Sequence, residues 1–233
     1  MVDEEFPEYY RQLEFFDPAG HNPRIVIIGA GGIGSWATLL LAKMGIKKLT
    51  VYDSDLVSPH NLSTTCYTPA QLGRHKVDAL AQVIESMTGT KIKTRKRKYI
   101  GGLLKTDILI SAVDSTKTRE NLFKAAITHN VPFFVDGRIG GENLRVYALR
   151  LKDEREMHDY LDSLPKPGFE SPLSCTSQQV IDVGLTTASL IVRAVRQYLS
   201  EGLYNFEIIG KIGEFDWIVS EFSHVEAKNH KSL

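Results

Sequence analysis

Cysteine is scarce in this sequence, and the scarcity excludes two kinds of scaffold. Cys66 and Cys175 are the only cysteines among its 233 residues. Two thiols cannot build a disulfide framework or a four-thiolate zinc site, and a chain so poor in cysteine is typical of the reducing cytoplasm. We therefore expect a cytoplasmic protein without structural zinc.

The sequence also lacks a net charge and a clear membrane segment. Its 28 Lys and Arg residues balance 28 Asp and Glu residues, so the global charge favours neither nucleic acid nor a membrane surface as partner. One uncharged stretch, from Ile25 to Ala42, has the length of a membrane span. Glycines between Gly29 and Gly34 interrupt it, so it fits a strand, a turn and a buried helix better. The start, Met1 to Phe6, has neither the basic residues nor the apolar stretch of a signal peptide.

What is present is an alternation of strand-like and helix-like segments. The predicted strands are Arg24–Ile28, Lys48–Tyr52, Ile92–Tyr99, Asp107–Val113 and Val131–Val135, and the predicted helices among them are Ser35–Met44, Val77–Met87 and Thr116–His129. Short apolar strands separated by helices indicate parallel pairing with right-handed crossovers. The fold class predicted is α/β, a doubly wound, Rossmann-like sheet that is mainly parallel.

The pattern changes after Glu142, where antiparallel strands are expected. Asn143–Leu151 alternates like an exposed antiparallel strand, and two further strand candidates follow near the end, Phe206–Ile212 and Trp217–Phe222. Residues 152–174 contain three prolines and are predicted to be an irregular crossing loop before a long helix, Gln178–Leu199. We expect one domain over 1–233, with an N-terminal helix in 1–20, a nucleotide-binding core in 21–140, a C-terminal lobe in 141–226 and a polar tail in 227–233.

A glycine-rich loop lies between the first predicted strand and the first long helix. It reads Gly29-Ala30-Gly31-Gly32-Ile33-Gly34. Glycine lets the backbone turn tightly and approach a phosphate, while the helix N-terminus offers unpaired N–H groups. Asp53 ends the next strand, where a carboxylate can accept hydrogen bonds from ribose hydroxyls. This pattern predicts nucleotide binding, and by itself it leaves NAD, FAD and ATP open.

A series of motifs around this loop resembles the ThiF/MoeB family, which includes the adenylation domains of ubiquitin-activating enzymes. The motifs are Asp53–Leu62, Leu72–Val77 and Ile110–Ser115 followed by Arg119, and the resemblance runs from about Tyr9 to Arg196. It implies ATP- and Mg²⁺-dependent adenylation of a C-terminal carboxylate, usually the Gly-Gly tail of a ubiquitin-like or sulfur-carrier protein.

The resemblance also implies roles for individual residues. Those implied to bind the nucleotide are Gly29, Gly31, Gly32 and Gly34 around it, Asp53 on the ribose, and Asp55, Asn61 and Lys76 by the phosphates. Asp114 is implied to bind Mg²⁺. Lys76 could instead be a solvated helix lysine, Asp114 a cap for the next helix, and Asp55 a residue that fixes the turn. Attack by a carboxylate on a phosphate accumulates negative charge, which a lysine, a metal ion and helix N–H groups stabilise.

Two further roles depend on the same resemblance. Cys175 corresponds to a region where relatives carry a cysteine that links covalently to the carrier, and its alternative is a buried structural thiol. Arg11, in a short N-terminal match, is implied to reach across a homodimer to the partner's phosphates, and its alternative is a solvated surface arginine. Cys66 is interpreted as structural.

The chain departs from the family pattern at charged positions, one of which is Glu8 in place of the first arginine of the N-terminal match. Where the family commonly has Asn-Leu-x-Arg-Gln, this chain has Asn61-Leu62-Ser63-Thr64-Thr65, so Thr64 supplies no charge to a triphosphate. A nucleotide-binding interaction module with weakened catalysis is therefore one alternative function. A second is adenylation of a modified tRNA nucleoside, supported by a basic stretch from Lys91 to Lys98 that otherwise fits a charged edge strand. An NAD dehydrogenase fits least, since no hydride-transfer site is recognisable.

Overall fold

The computed structural model describes residues 7–102, 104–165 and 180–224. Its strands are β1 (Ile25–Ile28), β2 (Leu49–Tyr52), β3 (Lys93–Arg95), β4 (Ile108–Ser111), β5 (Phe133–Gly140), β6 (Asn143–Arg150), β7 (Leu203–Asn205), β8 (Glu207–Lys211), β9 (Asp216–Val219) and β10 (Phe222–His224). Its α-helices are α1 (Gly34–Lys43), α2 (Lys76–Thr88), α3 (Thr116–Thr128), α4 (Glu154–Asp162) and α5 (Ile181–Ser200). Short 3-10 helices cover Pro7–Gln12, Pro59–Asn61, Pro69–Gln71 and Ile212–Glu214.

Eight of the strands form one sheet in the order β3-β2-β1-β4-β5-β6-β8-β9. The first five are parallel neighbours, and β6, β8 and β9 extend the sheet by antiparallel pairing. A separate antiparallel pair joins β7 to β10. The predicted class, a doubly wound and mainly parallel sheet with antiparallel C-terminal strands, is confirmed.

The central strands are apolar because helices cover both faces of the sheet. In β1, Ile25 and Ile27 belong to one buried cluster with residues of α1, α2 and α5, whereas Val26 and Ile28 belong to a second cluster with residues of α3 and α4. A strand buried on both faces has no solvated side, so all four of its residues are apolar rather than alternating. None of the helices in the described ranges is long and apolar enough to cross a membrane.

Three local expectations differ from the structure. Part of the predicted crossing loop is α4, whose N-terminus is capped by Asp153 Oδ1 accepting a hydrogen bond from Glu156 N at 3.1 Å. Its apolar residues Met157, Tyr160 and Leu161 have helical spacing, and Met157 and the buried Tyr160 pack against the core. The prolines that favoured a loop lie beyond the end of this helix. Within 1–20, the described residues form only the short 3-10 helix Pro7–Gln12. In the basic stretch, only Lys93–Arg95 pairs as a strand, at the edge of the sheet.

Candidate nucleotide-binding site

The glycine loop lies where the direction of chain winding reverses. β1 and β4 are neighbours, but the chain leaves β1 through α1 toward β2 and leaves β4 through α3 toward β5. The two helices cover opposite faces of the sheet, so the carboxyl ends of β1 and β4 diverge and leave a crevice. In open α/β sheets, ligands bind in a crevice of this kind.

The glycines of this loop serve two different purposes. Gly29 has a φ of +99°, and a Cβ built on it would lie 2.3 Å from Ala112 O. A Cβ on Gly34 would lie 2.0 Å from Gly29 O. These two glycines therefore permit close packing of the loop against itself and against the end of β4. A Cβ on Gly31, in contrast, would meet nothing within 4 Å. Gly31 faces open space, the side from which a phosphate group can approach the backbone.

The start of α1 leaves room for an anion. Its N-cap residue, Ile33, makes no side-chain capping hydrogen bond, so no side chain of the cap covers the first turn. Of the N–H groups there, that of Ser35 donates to Gly31 O at 3.0 Å. Gly32 lies beside it in the turn that opens the helix. Uncapped N–H groups at the positive end of a helix dipole form an anion-binding site.

Asp53 holds the glycine loop from the neighbouring strand. Its Oδ2 accepts a hydrogen bond from Ala30 N at 2.8 Å, and its Oδ1 accepts one from Asp55 N at 2.8 Å. Each carboxylate oxygen has two lone pairs, so these bonds leave acceptor capacity for a ribose. The position predicted for ribose recognition is thus next to the glycine loop, at the end of β2.

Lys76 is fastened to Asp55 at two points. Its main-chain N donates to Asp55 O at 2.9 Å, and its Nζ donates to Asp55 Oδ2 at 2.9 Å. The lysine side chain is 11% exposed and the aspartate side chain 59% exposed. The hydrogen bond from Lys76 lowers the pKa of the Asp55 carboxyl below its ordinary value. Lys76 is therefore a largely buried, oriented cation, and the interpretation of it as a freely solvated lysine is wrong.

The segment that contains Thr64 is anchored over α1 and the glycine loop. Trp36 Nε1 donates to Thr64 O at 3.1 Å, and Tyr67 OH donates to Ala30 O at 2.7 Å. Asn61 caps its own 3-10 helix, with Oδ1 accepting from Ser58 N at 2.9 Å. Sequence reasoning missed Trp36 and Tyr67, since a lone aromatic residue in a loop or helix carries no motif signal. Both hold the main chain of this segment beside the candidate site.

Asp114 follows β4 at the same edge of the sheet. Its side chain is exposed and makes no hydrogen bond or ion pair with any residue in the described ranges. The neighbouring Ser115 is the N-cap of α3, with Oγ accepting from Thr118 N at 3.4 Å. Capping therefore belongs to Ser115, and the alternative reading of Asp114 as the cap is wrong. No group of three acidic, histidine or cysteine side chains in the described ranges could hold a metal by itself. One unpaired carboxylate fits Mg²⁺ nonetheless, because this ion takes one or two carboxylates together with substrate phosphates.

A buried ionic network lies beneath Asp114 and was missed by sequence reasoning. The carboxylate of Asp136, with 0% exposure, accepts from Arg119 Nε at 3.1 Å and from Arg138 Nε at 2.6 Å. Burial alone would raise the pKa of the Asp136 carboxyl, but the two guanidinium groups outweigh it and hold the pKa below its ordinary value. The signal for this network in the sequence was Asp136, a charged residue directly after the predicted apolar strand Val131–Val135.

Arg11, Cys66 and Cys175 are the remaining residues with predicted roles. Arg11 is exposed at the far end of α1, where its neighbour Gln12 donates from Nε2 to Met44 O at 2.8 Å. Cys66 packs against the core, and burial raises the pKa of its thiol to about 11, so it is an inert structural thiol as predicted. Cys175 lies outside the described residues.

The family follows from comparison of the whole chain with known proteins. The ThiF family model matches residues 9–232. The chain belongs to the ThiF family. The match covers the glycine loop, Asp53, Lys76 and Asp114 together, so the resemblance stated from the motifs is confirmed.

Relatives within the ThiF family are adenylyltransferases. The molybdopterin-synthase adenylyltransferase of Salmonella typhimurium is 27% identical over 245 residues, which cover 97% of this chain and 94% of that protein. Its Escherichia coli counterpart is 25% identical over 247 residues, with the same coverage of 97% and 94%. The sulfur carrier protein ThiS adenylyltransferase of Escherichia coli is 27% identical over 153 residues, 60% of this chain and 61% of that protein. The predicted class of enzyme is confirmed.

Solved structures share the fold of this ThiF family member. The structure of PaaA superposes with a TM-score of 0.73 at 18% identity and covers 96% of this chain and 75% of that one. The structure of Escherichia coli MccB with ATP gives a TM-score of 0.72 at 15% identity over 95% of this chain and 73% of that one. At these identities the comparison concerns the fold alone.

Proposed function

We propose that this protein is an ATP-dependent adenylyltransferase that activates the C-terminal carboxylate of a small ubiquitin-like or sulfur-carrier protein. The observation that carries the proposal is the meeting, at one edge of the sheet, of the open backbone at Gly31, the uncapped start of α1 and the oriented cation of Lys76. The chain matches an adenylyltransferase over 97% of its length, which supports the same reaction class.

The proposed reaction transfers AMP to the carboxylate. A carboxylate oxygen of the substrate attacks the α-phosphorus of ATP, the bond from that phosphorus to the bridging oxygen breaks, and pyrophosphate leaves. Lys76 and the N–H groups of α1 stabilise the negative charge that accumulates on the phosphates. Asp53 orients the nucleotide through its ribose, while the main chain around Gly31 approaches the phosphates. Asp114 would hold a Mg²⁺ ion shared with the phosphates, which would neutralise part of the charge on the leaving group.

We propose that Lys76 exchanges its ion-pair partner, Asp55, for a phosphate of ATP when the nucleotide binds. Asp55 is 59% exposed and holds Lys76 Nζ at 2.9 Å, so the cation is already oriented before a phosphate arrives. A triphosphate carries more negative charge than one carboxylate and competes for the same ammonium group. Asp55 therefore keeps Lys76 in place in the free enzyme and shares or releases it to the nucleotide.

We also propose a two-fold homodimer in which Arg11 acts on the partner's site. α1 has 10 residues and begins at the glycine loop, so its other end lies about 15 Å from the loop. Arg11 is next to Gln12, which is bonded to that other end, and it forms no ion pair within the described part of the chain. Arg11 thus lies far from the phosphate site of its own chain, and only a second copy can bring it there. Such a cation would compensate for the neutral Thr64.

Cys175 is proposed to act after adenylation. A thiol that attacks the acyl adenylate would form a thioester with the carrier and release AMP, so it is not needed for pyrophosphate exchange. We expect Cys175→Ser to keep exchange and to lose any thiol-sensitive adduct with the carrier. We also infer a cytoplasmic location, since the low cysteine content suits a reducing compartment.

The decisive experiment is ATP–pyrophosphate exchange with purified protein. Exchange that depends on an added carrier protein ending in Gly-Gly would support the proposal. Exchange stimulated by tRNA instead would favour the alternative substrate, for which the basic edge strand β3 is the supporting feature. ATP binding without exchange under any of these conditions would identify an interaction module that has lost catalysis.

A further inference from the structure

Arg119 connects β5 to the loop at Asp114. Its Nε donates to Asp136 Oδ1 at 3.1 Å and its Nη2 to Gly137 O at 3.2 Å, both in β5. Its Nη1 reaches Asp114 O at 3.5 Å. The main-chain N of Arg119 also donates to Ser115 O at 3.0 Å. One guanidinium group therefore links the loop that carries the candidate metal ligand to the buried middle of β5.

The carboxylate of Asp114 is attached only through its own main chain, as far as the described residues show. It has no hydrogen-bond or ion-pair partner among the residues that the structure describes, so no side chain orients it. The cap made by Ser115 fixes the start of α3, one residue further along. The carbonyl group of Asp114 itself is contacted by Arg119. A loop held at its carbonyl has less freedom to turn its carboxylate away from the phosphates.

Charge balance gives an independent reason to look for a second role of Arg119. Asp136 is a single buried carboxylate bonded to two buried guanidinium groups, one on each oxygen. Arg138 alone would neutralise it. Arg138 differs from Arg119 in where its remaining donors go, because its Nη1 bonds to Ser163 O at 3.0 Å and its Nη2 to Ser163 Oγ at 3.1 Å. The two arginines thus share one partner, but only Arg119 touches the Asp114 loop.

We propose that Arg119 is a positioning residue that holds the main chain at Asp114 in the orientation that metal binding requires. The inference rests on the proposed function, in which Asp114 binds the metal of the metal–ATP complex. Replacing a residue that hydrogen bonds to a metal ligand and orients it typically weakens metal affinity 10- to 100-fold. Arg119 would act in this way through the peptide carbonyl rather than through the carboxylate.

The test compares Arg119→Lys with Arg138→Lys as a matched control. Each variant replaces one of the two guanidinium groups on Asp136 by an ammonium group and leaves the other arginine in place. Mn²⁺ is titrated into each protein saturated with a non-hydrolysable ATP analogue, and free Mn²⁺ is followed by electron paramagnetic resonance. Affinity for the analogue without metal and the thermal midpoint are measured alongside. We expect Arg119→Lys to bind Mn²⁺ at least about tenfold more weakly and Arg138→Lys to stay within about twofold of wild type.

The outcomes separate this inference from the function on which it rests. Equal Mn²⁺ affinity in the two lysine variants, with wild type binding Mn²⁺ more tightly than Asp114→Ala does, would overturn the role of Arg119 alone. Wild type binding Mn²⁺ no better than Asp114→Ala would overturn the metal role of Asp114 and this inference with it. If a lysine variant does not fold, Arg119→Gln and Arg138→Gln take their place. Each leaves Asp136 paired with one arginine, and the same contrast in Mn²⁺ affinity is expected.

Discussion

Lys76 Nζ lies 2.9 Å from Asp55 Oδ2, and the main chains of the same two residues are also hydrogen bonded. The pair joins the loop after β2 to the first turn of α2. Because the lysine side chain is 11% exposed while its partner is 59% exposed, the cation is held in a fixed place beside an open carboxylate. A pair of this kind can exchange one anion for another without a large movement of the main chain.

The first prediction concerns the cation of this pair. Lys76→Ala should lower ATP–pyrophosphate exchange about 100-fold or more, because it removes a preorganised donor from the charge that develops on the phosphates. The thermal midpoint should change little, since one member of the pair is exposed. Lys96→Ala is the control, as it breaks an ion pair of 2.7 Å with Asp78, also in α2. Similar exchange rates in the two variants would contradict a role for Lys76 at the phosphates.

The second prediction separates the two purposes of the glycines. Gly31→Ala should fold with a nearly unchanged thermal midpoint, because its added Cβ meets nothing within 4 Å. It should lose most of its affinity for ATP, because the new methyl group occupies space next to the phosphates. Gly29→Ala should instead lose at least about 2 kcal/mol of folding stability, from its positive φ and the approach to Ala112 O. Calorimetric titration and chemical denaturation measure the two effects. Tight ATP binding by a folded Gly31→Ala protein would place the phosphates elsewhere.

The third prediction concerns the buried carboxylate of Asp136 and pH. Arg119 and Arg138 hold the pKa of Asp136 below the unfolded value of about 3.9, so its stabilising contribution is complete above that value. The contribution is lost as the pH falls through the folded pKa. At pH 7, Asp136→Asn should lower the free energy of unfolding by about 3–5 kcal/mol, since it leaves two buried cations without an anion.

The measurement for Asp136 is urea unfolding of wild type and variant at pH 7 and at pH 3. The difference in the free energy of unfolding between wild type and Asp136→Asn should be smaller at pH 3 than at pH 7. Asp107→Asn is the control, because Asp107 forms an ion pair of 2.7 Å with Arg24 in which the side chains are 40% and 55% exposed. Asp107→Asn should lower the free energy of unfolding by about 1 kcal/mol or less at pH 7. The same loss of stability for Asp136→Asn at both pH values would show that its charge is not the cause.

The fourth prediction tests the proposed dimer. Arg11→Ala and Asp114→Ala should each be nearly inactive in pyrophosphate exchange. When the two are mixed in equal amounts and exchange subunits, half of the dimers should be hybrids, each with one site that has both residues. Activity should therefore recover to about a quarter of the wild-type value. If subunit exchange is demonstrated by a labelled chain and no activity returns, Arg11 does not act on the partner's site.

Local sequence patterns were sufficient to predict most of the strands of the sheet and the order of the motif residues at their carboxyl ends. The strand Ile25–Ile28, the glycine loop and Asp53 could be placed in order, because parallel strands, tight turns and helix starts depend on neighbouring residues. α4 was predicted as part of a loop although its apolar residues have helical spacing, because the prolines that follow it favoured an irregular segment. Its attachment depends on Tyr160, which packs against Phe123 with ring centroids 4.5 Å apart, a contact between residues distant along the chain.

The sequence by itself determined the fold class and the family and supplied the motif residues proposed for the candidate site, because short-range hydrophobic periodicity and ordered motifs carry that information. Only the tertiary structure decided how those residues are held. It pairs Lys76 with Asp55, gives the cap of α3 to Ser115 rather than to Asp114, and places Arg119 between Asp136 and the carbonyl of Asp114. Asp136 and Arg119 lie 17 residues apart and meet only when β5 pairs with β4 and α3 packs across them. The burial that makes such a pair strong exists only in the folded chain, so a local pattern can mark the charged residue but cannot name its partners.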